Sequence, residues 1–152
     1  MAVKQCLVLP IFYEQDRQTL DAFCAQAAEI GFAAIEVMKV GDELPEIVTT
    51  ARKHGLAVAS MPGHDSLPDG LNKASNHDRI ERELRRSIDV AADLGIGGLI
   101  CFSGNRNPGQ SDYEGLATCA QGLRRAAPYA EAKGVNLNIE LLNSRVDHPG
   151  YQ

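Results

Sequence analysis

One stretch near the end of the sequence carries most of the information about the fold, Val135-Asn136-Leu137-Asn138-Ile139-Glu140-Leu141-Leu142-Asn143. Its alternation of apolar and polar residues predicts a buried strand with two chemically different faces. The apolar face consists of Leu137, Ile139 and Leu141. The polar face consists of Asn136, Asn138 and Glu140. That polar face either lines a solvent-filled cavity with a chemical function or is the solvated face of an edge strand.

Four similar joints between a helix and a strand recur along the chain. Each joint has a glycine, suited to the left-handed conformation that ends many helices, followed by an apolar run. These glycines are Gly31, Gly55, Gly95 and Gly134. The apolar runs predict five strands, at residues 5–12, 33–40, 56–61, 98–103 and 135–142. The chain is therefore predicted to alternate strands with helices.

Apolar residues at helical spacing indicate that the segments between the strands are helices. The third predicted helix carries four apolar residues on one face, Ile80, Leu84, Ile88 and Ala91. Two capping-box patterns, Ser75-x-x-Asp78 and Ser111-x-x-Glu114, predict where the third and fourth helices begin. Pro128 is predicted to kink or end the fourth helix.

Alternating strands and helices imply a parallel sheet, which forms either an open doubly wound fold or a (βα)8 barrel. No G-x-G-x-x-G pattern follows the first strand, where residues 9–13 read LPIFY, so the barrel is favoured. Such barrels typically have about 250 residues, and 152 residues supply five strands and four helices. The expected fold is a partial TIM barrel, with residues 1–152 forming the N-terminal portion of one domain and the C-terminal strands absent.

Composition limits the classes of function. A net charge of -5 argues against nucleic-acid binding. Neither a signal peptide nor a stretch of membrane-span length is recognisable, so a cytoplasmic location and no membrane partner are expected. The cysteines lack metal-type spacing and are expected to be free thiols, at Cys6, Cys24, Cys101 and Cys119.

In a barrel, active sites lie at the carboxyl ends of the strands, so the polar residues there are the candidates. Glu36 is predicted to face the interior, either with a catalytic role or paired with a basic group. His64 would donate to a substrate oxygen or act as an acid or base, unless it is merely solvated. The guanidinium of Arg106 is suited to a carboxylate or phosphate through two parallel hydrogen bonds, or it pairs with Glu36 or Glu140.

Glu140 is the strongest candidate, because a carboxylate on a rigid strand can bind a divalent cation and move protons. The remaining rim candidates are Asn105, Asn143, Arg145, Asp147 and His148.

The stretch Ile139-Glu140-Leu141-Leu142-Asn143-Ser144-Arg145, with Asp147-His148-Pro149-Gly150-Tyr151, resembles the xylose-isomerase-like TIM barrels, most closely the hydroxypyruvate isomerase branch. Residues 102–106 (FSGNR) and 70–72 (GLN) are similar to that branch in a less specific way. The resemblance covers nearly the whole chain, but it corresponds to only the first part of a full-length member of the family.

This resemblance implies an isomerase that moves a proton between adjacent carbons of a small hydroxy-carbonyl substrate through an enediol, assisted by Mn²⁺ or Mg²⁺. Glu140 matches the family's metal ligand and proton carrier on strand five. The other ligands in the family come from strands six to eight, so metal binding by this chain alone is in question. We assign substrate binding to His64, Asn105, Arg106, Asn143 and Arg145.

Three interpretations remain open. The chain is part of a hydroxypyruvate isomerase and inactive alone, or part of an epimerase of a free ketose, or a non-catalytic β/α module that assembles with other copies. Open edges at strands one and five favour a homo-oligomer. The interior face of the half barrel would lack an opposing wall; it is expected to include Ala57, Ala59, Leu99 and Cys101, or their neighbours.

Overall fold

Five strands and the helices between them make up the structure, a computed structural model that describes residues 3–16 and 18–152. The strands are β1 (Cys6–Val8), β2 (Ala34–Glu36), β3 (Ala57–Pro62), β4 (Gly98–Cys101) and β5 (Asn136–Ile139). The helices are α1 (Leu9–Asp16), α2 (Leu20–Ile30), α3 (Leu44–Lys53), α4 (His77–Leu94) and α5 (Asp112–Lys133), with a short 3-10 helix at Ala74–Asn76.

The sheet keeps its strands in chain order, β1-β2-β3-β4-β5, and every neighbouring pair is parallel. A doubly wound sheet would reverse its strand order at a switch point, whereas a TIM barrel adds each new strand beside the last. The prediction of a partial barrel is therefore confirmed.

Helix ends follow the glycine pattern at three of the four predicted joints. Gly31, Gly95 and Gly134 all have positive φ, and the N–H of each bonds to carbonyls of the preceding turn. Gly55 also has positive φ, but it lies one residue beyond the residue that caps α3, His54. These turns let each helix reverse directly into the next strand.

The prediction was wrong at Leu9–Phe12, which was assigned to the first strand. These residues form the first turn of α1, so five α-helices are described rather than four. An apolar run this short fits a buried strand and a buried helix equally well. Pro10 is compatible with the helix because the first-turn N–H groups have no helical partner anyway.

Predicted strand ends also ran too far into the loops. The second strand stops at Glu36, and the fifth stops at Ile139, so Glu140 is the first residue beyond the strand. Hydrogen bonding between strands ends where the loops diverge, although the apolar run continues, and this explains the overestimate.

The two capping predictions had different outcomes. Ser111 caps α5 in a complete capping box with Glu114. Ser75 instead lies in the 3-10 helix, and Asn76 precedes α4. Pro128 does not end α5, which continues to Lys133. Ala126 and Ala130, on either side of that proline, are buried, so packing of this helix offsets the lost backbone hydrogen bond.

The hydrophobic core lies between the helices and one side of the sheet. Leu99 and Cys101 belong to this core and are fully buried, so the interior face of β4 belongs to their neighbours, which was the alternative expectation. Alternation along β4 directs Leu99 and Cys101 toward the helices. Ala57 and Ala59 are exposed on the other side, as predicted. Within the described residues, no helix is long and apolar enough to cross a bilayer.

Candidate active site at the carboxyl ends of the strands

Because all five strands are parallel, the residues that follow them gather at one rim of the half barrel. Glu140 follows β5 directly, His64 follows β3, and Asn105 and Arg106 lie in the loop after β4. Asn143 and Arg145 lie farther along the chain from β5.

Glu140 has a fixed backbone and an available carboxylate. Its N–H donates to the Cys101 carbonyl at 3.0 Å, which extends the pairing of β4 with β5 by one residue. The side chain is partly exposed, and no hydrogen bond or ion pair to another described residue occupies it. A carboxylate held this way can accept a proton or bind a cation.

The polar face predicted for β5 is present at Asn136 and Asn138, whereas Leu141, predicted on the apolar face, lies beyond the strand and is 90% exposed. Asn136 and Asn138 are exposed, whereas Leu137 and Ile139 pack against the core. Gly98 makes room for this face, since an ideal Cβ there would lie 2.7 Å from the Asn138 amide nitrogen. The wall of β4 beside Asn138 is therefore bare backbone.

Glu36 faces the same interior, as predicted. Its neighbours Ile35 and Val37 are buried in the core on the opposite side. The expected basic partner is replaced by Ser60 on β3, whose hydroxyl donates to the Glu36 carboxylate. A neutral donor leaves the negative charge of Glu36 on the interior face.

His64 is buried, with 2% of its surface exposed, rather than solvated. Its Nε2 accepts the Phe102 backbone N–H at 2.9 Å, and the two rings meet edge to face at 5.5 Å. Since Nε2 is an acceptor, the neutral ring carries its proton on Nδ1. Burial lowers the pKa of His64 to about 4, so the ring is a neutral donor near pH 7 and not an acid/base group.

The loop after β4 uses its predicted site residues for its own structure. The Arg106 guanidinium donates to the Asp112 carboxylate, not to Glu36 or Glu140. Asn105 pairs through its backbone with Tyr151 and Pro68. The Asn105 side chain remains exposed.

Asn143 forms a local turn. Its Oδ1 accepts the backbone N–H groups of Arg145 and Val146, at 3.1 and 3.2 Å. This is the Asx-turn geometry that asparagine favours. Arg145 is exposed and has no ion-pair partner in the described part of the chain. The structure therefore places Asn143 and Arg145 near the rim without joining them to Glu140.

A model of the xylose isomerase-like TIM barrel family matches residues 24–152. The chain belongs to this family. A search of curated proteins finds no match.

Solved structures show the same fold. A sugar phosphate isomerase/epimerase from Parabacteroides distasonis ATCC 8503 is 15% identical, with a TM-score of 0.69 over 91% of this chain and 51% of that one. D-psicose 3-epimerase from Clostridium cellulolyticum H10 is 15% identical, with a TM-score of 0.69 over 93% and 53%. A family 2 AP endonuclease from Brucella melitensis is 22% identical, with a TM-score of 0.68 over 90% and 54%. The chain thus spans about half the length of these structures.

Within this xylose isomerase-like barrel, the described residues do not form a divalent-metal centre. No group of three or more His, Cys, Asp or Glu side chains is placed to hold an ion anywhere in residues 3–16 and 18–152. Glu36 on β2 and Glu140 after β5 have two strands between them. Because a divalent cation takes about six ligands, Glu140 by itself does not fit a complete site.

Sequence reasoning missed a polar cluster that holds the rim together. The Tyr151 hydroxyl accepts the Ser103 N–H at 2.9 Å, and the Gln152 N–H donates to the Gly104 carbonyl at 3.0 Å. Asn72, which is fully buried, donates to the Gln152 side chain and to the Asn105 carbonyl, both at 2.8 Å. The motifs at residues 70–72, 102–106 and 147–151 contain most of these residues, but their pairing could not be predicted because the partners are far apart in sequence.

Proposed function

We propose that this chain contributes the proton-transferring half of an isomerase of the hydroxypyruvate isomerase type. The observation that carries the proposal is the Glu140 carboxylate, unoccupied by any described partner and fixed at the end of β5. Membership of the xylose isomerase-like family and the motif around Glu140 support the same chemistry.

In this proposal Glu140 takes a proton from the carbon beside the substrate carbonyl. The electron pair left behind forms the enediol as the former carbonyl oxygen takes up a proton. Glu140 then returns the carbon-bound proton to the neighbouring carbon, and the other hydroxyl loses its proton to become the new carbonyl. A rigid position matters, because the carboxylate must reach both carbons in turn. The strand-like pairing of the Glu140 backbone with Cys101 provides that rigidity.

A divalent cation, when bound, supplies polarisation of the substrate's carbonyl and hydroxyl oxygens. The described residues offer only Glu140 toward such an ion, so we propose that metal binding and turnover require further strands. The exposed interior side chains, such as Ala59 and Asn138, are consistent with a barrel wall that is not among the described residues. Residues 1–152 would then be the N-terminal portion of one domain, inactive alone.

Substrate binding is proposed for five residues, His64, Asn105, Arg106, Asn143 and Arg145. Arg145 and the Asn105 side chain are exposed, and the His64 Nδ1–H has no described partner. Arg106 would have to exchange Asp112 for substrate, and Asn143 would have to leave its turn. We therefore expect His64, Asn105 and Arg145 to contribute before Arg106 and Asn143. A cytoplasmic location fits the free thiols of the buried cysteines.

Titration calorimetry with Mn²⁺ tests this proposal, using the chain, its Glu140→Gln variant and a control variant, Glu131→Gln, on the surface of α5. We expect no binding to the chain, because the site needs other ligands. In a longer form of the protein that completes the barrel, we expect Mn²⁺ binding and hydroxypyruvate isomerisation, both lost in Glu140→Gln and kept in Glu131→Gln. Isomerisation that survives Glu140→Gln would overturn the role of Glu140.

A second candidate is an epimerase of a free ketose. Several structures with this fold are ketose 3-epimerases, including an L-ribulose 3-epimerase and D-psicose 3-epimerase. The same Glu140 would remove a proton from one face of a carbon, and a second acid would deliver a proton to the opposite face, because return to the same face would restore the original configuration. Turnover of a free ketose with no turnover of hydroxypyruvate would favour this function over the first.

A non-catalytic assembly role is the third candidate, supported by the open edges of β1 and β5. It predicts a stable homo-oligomer in light scattering. A monodisperse monomer would count against it.

A further inference from the structure

A crevice of about 700 Å³ opens at the rim, between the loop after β2, the loop after β3 and the outer helix α4. Its wall combines apolar side chains with several polar ones. The polar side chains are Lys39, His64, Asp65, Glu83, Arg86 and Ser87. Neither Glu36 nor Glu140 lines it, so the crevice is separate from the interior face of the barrel. Its volume lies within the range of small-molecule sites.

His64 is one of the residues on this wall, and its ring carries a buried donor. Its Nδ1 is shielded from solvent and has no hydrogen-bond partner among the described residues. Nε2 is already occupied by the Phe102 N–H, so the tautomer with hydrogen on Nδ1 is fixed. A buried donor without a partner is costly and is commonly satisfied by a ligand or water. The matching group on a ligand must be an acceptor.

The charges on the wall favour an anionic acceptor. Lys39 and Arg86 have no ion-pair partner in the described part of the chain, whereas Glu83 is held by two hydrogen bonds from Arg79, at 2.9 and 3.0 Å. Asp65 is the remaining acidic group on the wall. With Arg79 offsetting Glu83, two cations face one carboxylate, although the whole chain has a net charge of -5.

We propose that this crevice binds the carboxylate or phosphate end of a small hydroxylated molecule, with Lys39 and Arg86 facing the oxyanion and His64 donating to the ligand. The apolar side chains Val40, Val90 and Phe102 cover its carbon atoms. Among the residues proposed for the isomerase substrate, only His64 lines this crevice, and Glu140 takes no part in it, so binding here can be tested separately from the role of Glu140.

The donor persists across the neutral pH range. Burial lowers the pKa of His64 to about 4, so the ring stays neutral and keeps its single Nδ1 proton well below pH 7. Lys39 and Arg86 therefore provide the electrostatic attraction for the anion. The neutral His64 N–H fixes the orientation of the bound anion.

Three probes with the same three-carbon skeleton separate the sources of the oxyanion: glycerate, glycerol 3-phosphate and uncharged glycerol. Binding is followed by NMR of the chain with ¹⁵N-labelled histidine at pH 7.5, observing the Nδ1 resonance of His64. We expect glycerate, glycerol 3-phosphate or both to shift this resonance in a saturable way, and glycerol to leave it unchanged. A response to glycerate alone would identify the bound group as a carboxylate, and a response to glycerol 3-phosphate alone would identify it as a phosphate. No saturable shift with either anion, or an equal shift with glycerol, overturns the proposal.

Variants of the chain test the named residues. Lys39→Gln with Arg86→Gln should weaken binding about tenfold or more, because two charge-assisted contacts are lost. The matched control, Lys4→Gln with Arg124→Gln, removes two exposed cations elsewhere and should leave affinity unchanged. Equal affinity in both double variants contradicts the assignment.

Two single variants complete the test by calorimetry. His64→Met keeps a weak sulfur acceptor for the Phe102 N–H and removes the donor, so anion affinity should fall while the fold, checked by circular dichroism, is retained. Glu140→Gln should bind the anion as the parent does, even if every isomerase assay fails. Loss of binding in Glu140→Gln would show that the anion occupies the interior of the barrel instead, and would overturn the proposal.

Discussion

The side of the sheet that faces the helices carries fully buried residues such as Leu99 and Cys101, whereas the interior side carries exposed Ala57, Ala59 and Asn138. The same strands supply both faces, and alternation alone separates them. The helix-facing side therefore holds the fold together. The interior side and its rim are free to carry polar groups, and Glu36 and Glu140 lie there.

The largest contrast should come from one substitution on each face. Leu99→Ala removes a fully buried side chain from β4 and should cost about 2–5 kcal/mol of the free energy of unfolding, by lost burial and a cavity. Ala57→Ser, on the exposed face of β3, should change it by about 0.5 kcal/mol or less. Urea unfolding followed by circular dichroism measures both.

Equal costs for the two variants would mean that the interior face is covered in solution. Assembly with another copy would be the first explanation to test, by comparing the unfolding midpoint at several protein concentrations, since stability then depends on concentration.

His64 provides a second test, because it is a buried group at the otherwise accessible rim. Its pKa is lowered from 6.5 to about 4, so the unfolded chain binds a proton first as the pH falls. Stability from the neutral ring is fully present above pH 6.5, is lost as the pH falls toward 4, and changes little below that. The loss corresponds to on the order of 3 kcal/mol.

The measurement is the unfolding free energy of the chain and of His64→Gln at several pH values from 4 to 7.5. Carboxylates whose pKa is lowered by ion pairs, such as Asp69 beside Lys73, also lose stabilising charge near the acidic end. They do so in both proteins, so the difference between the two curves isolates His64. A difference that does not change with pH would show that the imidazole is solvated rather than buried.

Local patterns predicted the parts of the molecule that depend on neighbours in sequence. Alternation placed Asn136 and Asn138 on the polar side of β5, and glycines after helices marked the βα units, because both signals repeat over a few residues. The same signals did not resolve Leu9–Phe12, where a four-residue apolar run suits either a strand or a helix.

Contacts between distant parts of the chain could not be predicted in this way. Arg106 was assigned to substrate or to an interior glutamate, yet its partner Asp112 lies at the start of α5. The sequence predicts an accessible loop position for His64, whereas in the fold its ring is buried and bonded to Phe102, the residue that follows β4. Neither pairing produces a periodic pattern in the sequence. The two pairings can therefore be identified only from the folded arrangement of the rim.

The smallest of the expected effects concerns Tyr151, which joins the C-terminal segment to the loop after β4. Its hydroxyl accepts the Ser103 N–H at 2.9 Å, and the residue is 1% exposed. Tyr151→Phe keeps the ring but leaves that buried N–H unpaired, which should cost about 1–3 kcal/mol in urea unfolding. Tyr113→Phe, on the exposed surface of α5, is the matched control and should cost almost nothing. Faster hydrogen exchange at the Ser103 amide in Tyr151→Phe alone would attribute the loss to this bond. An unchanged exchange rate would mean that the rim is held by its other contacts, those of Asn72 and Gln152, and that the loop bearing Asn105 and Arg106 does not need Tyr151 for its position.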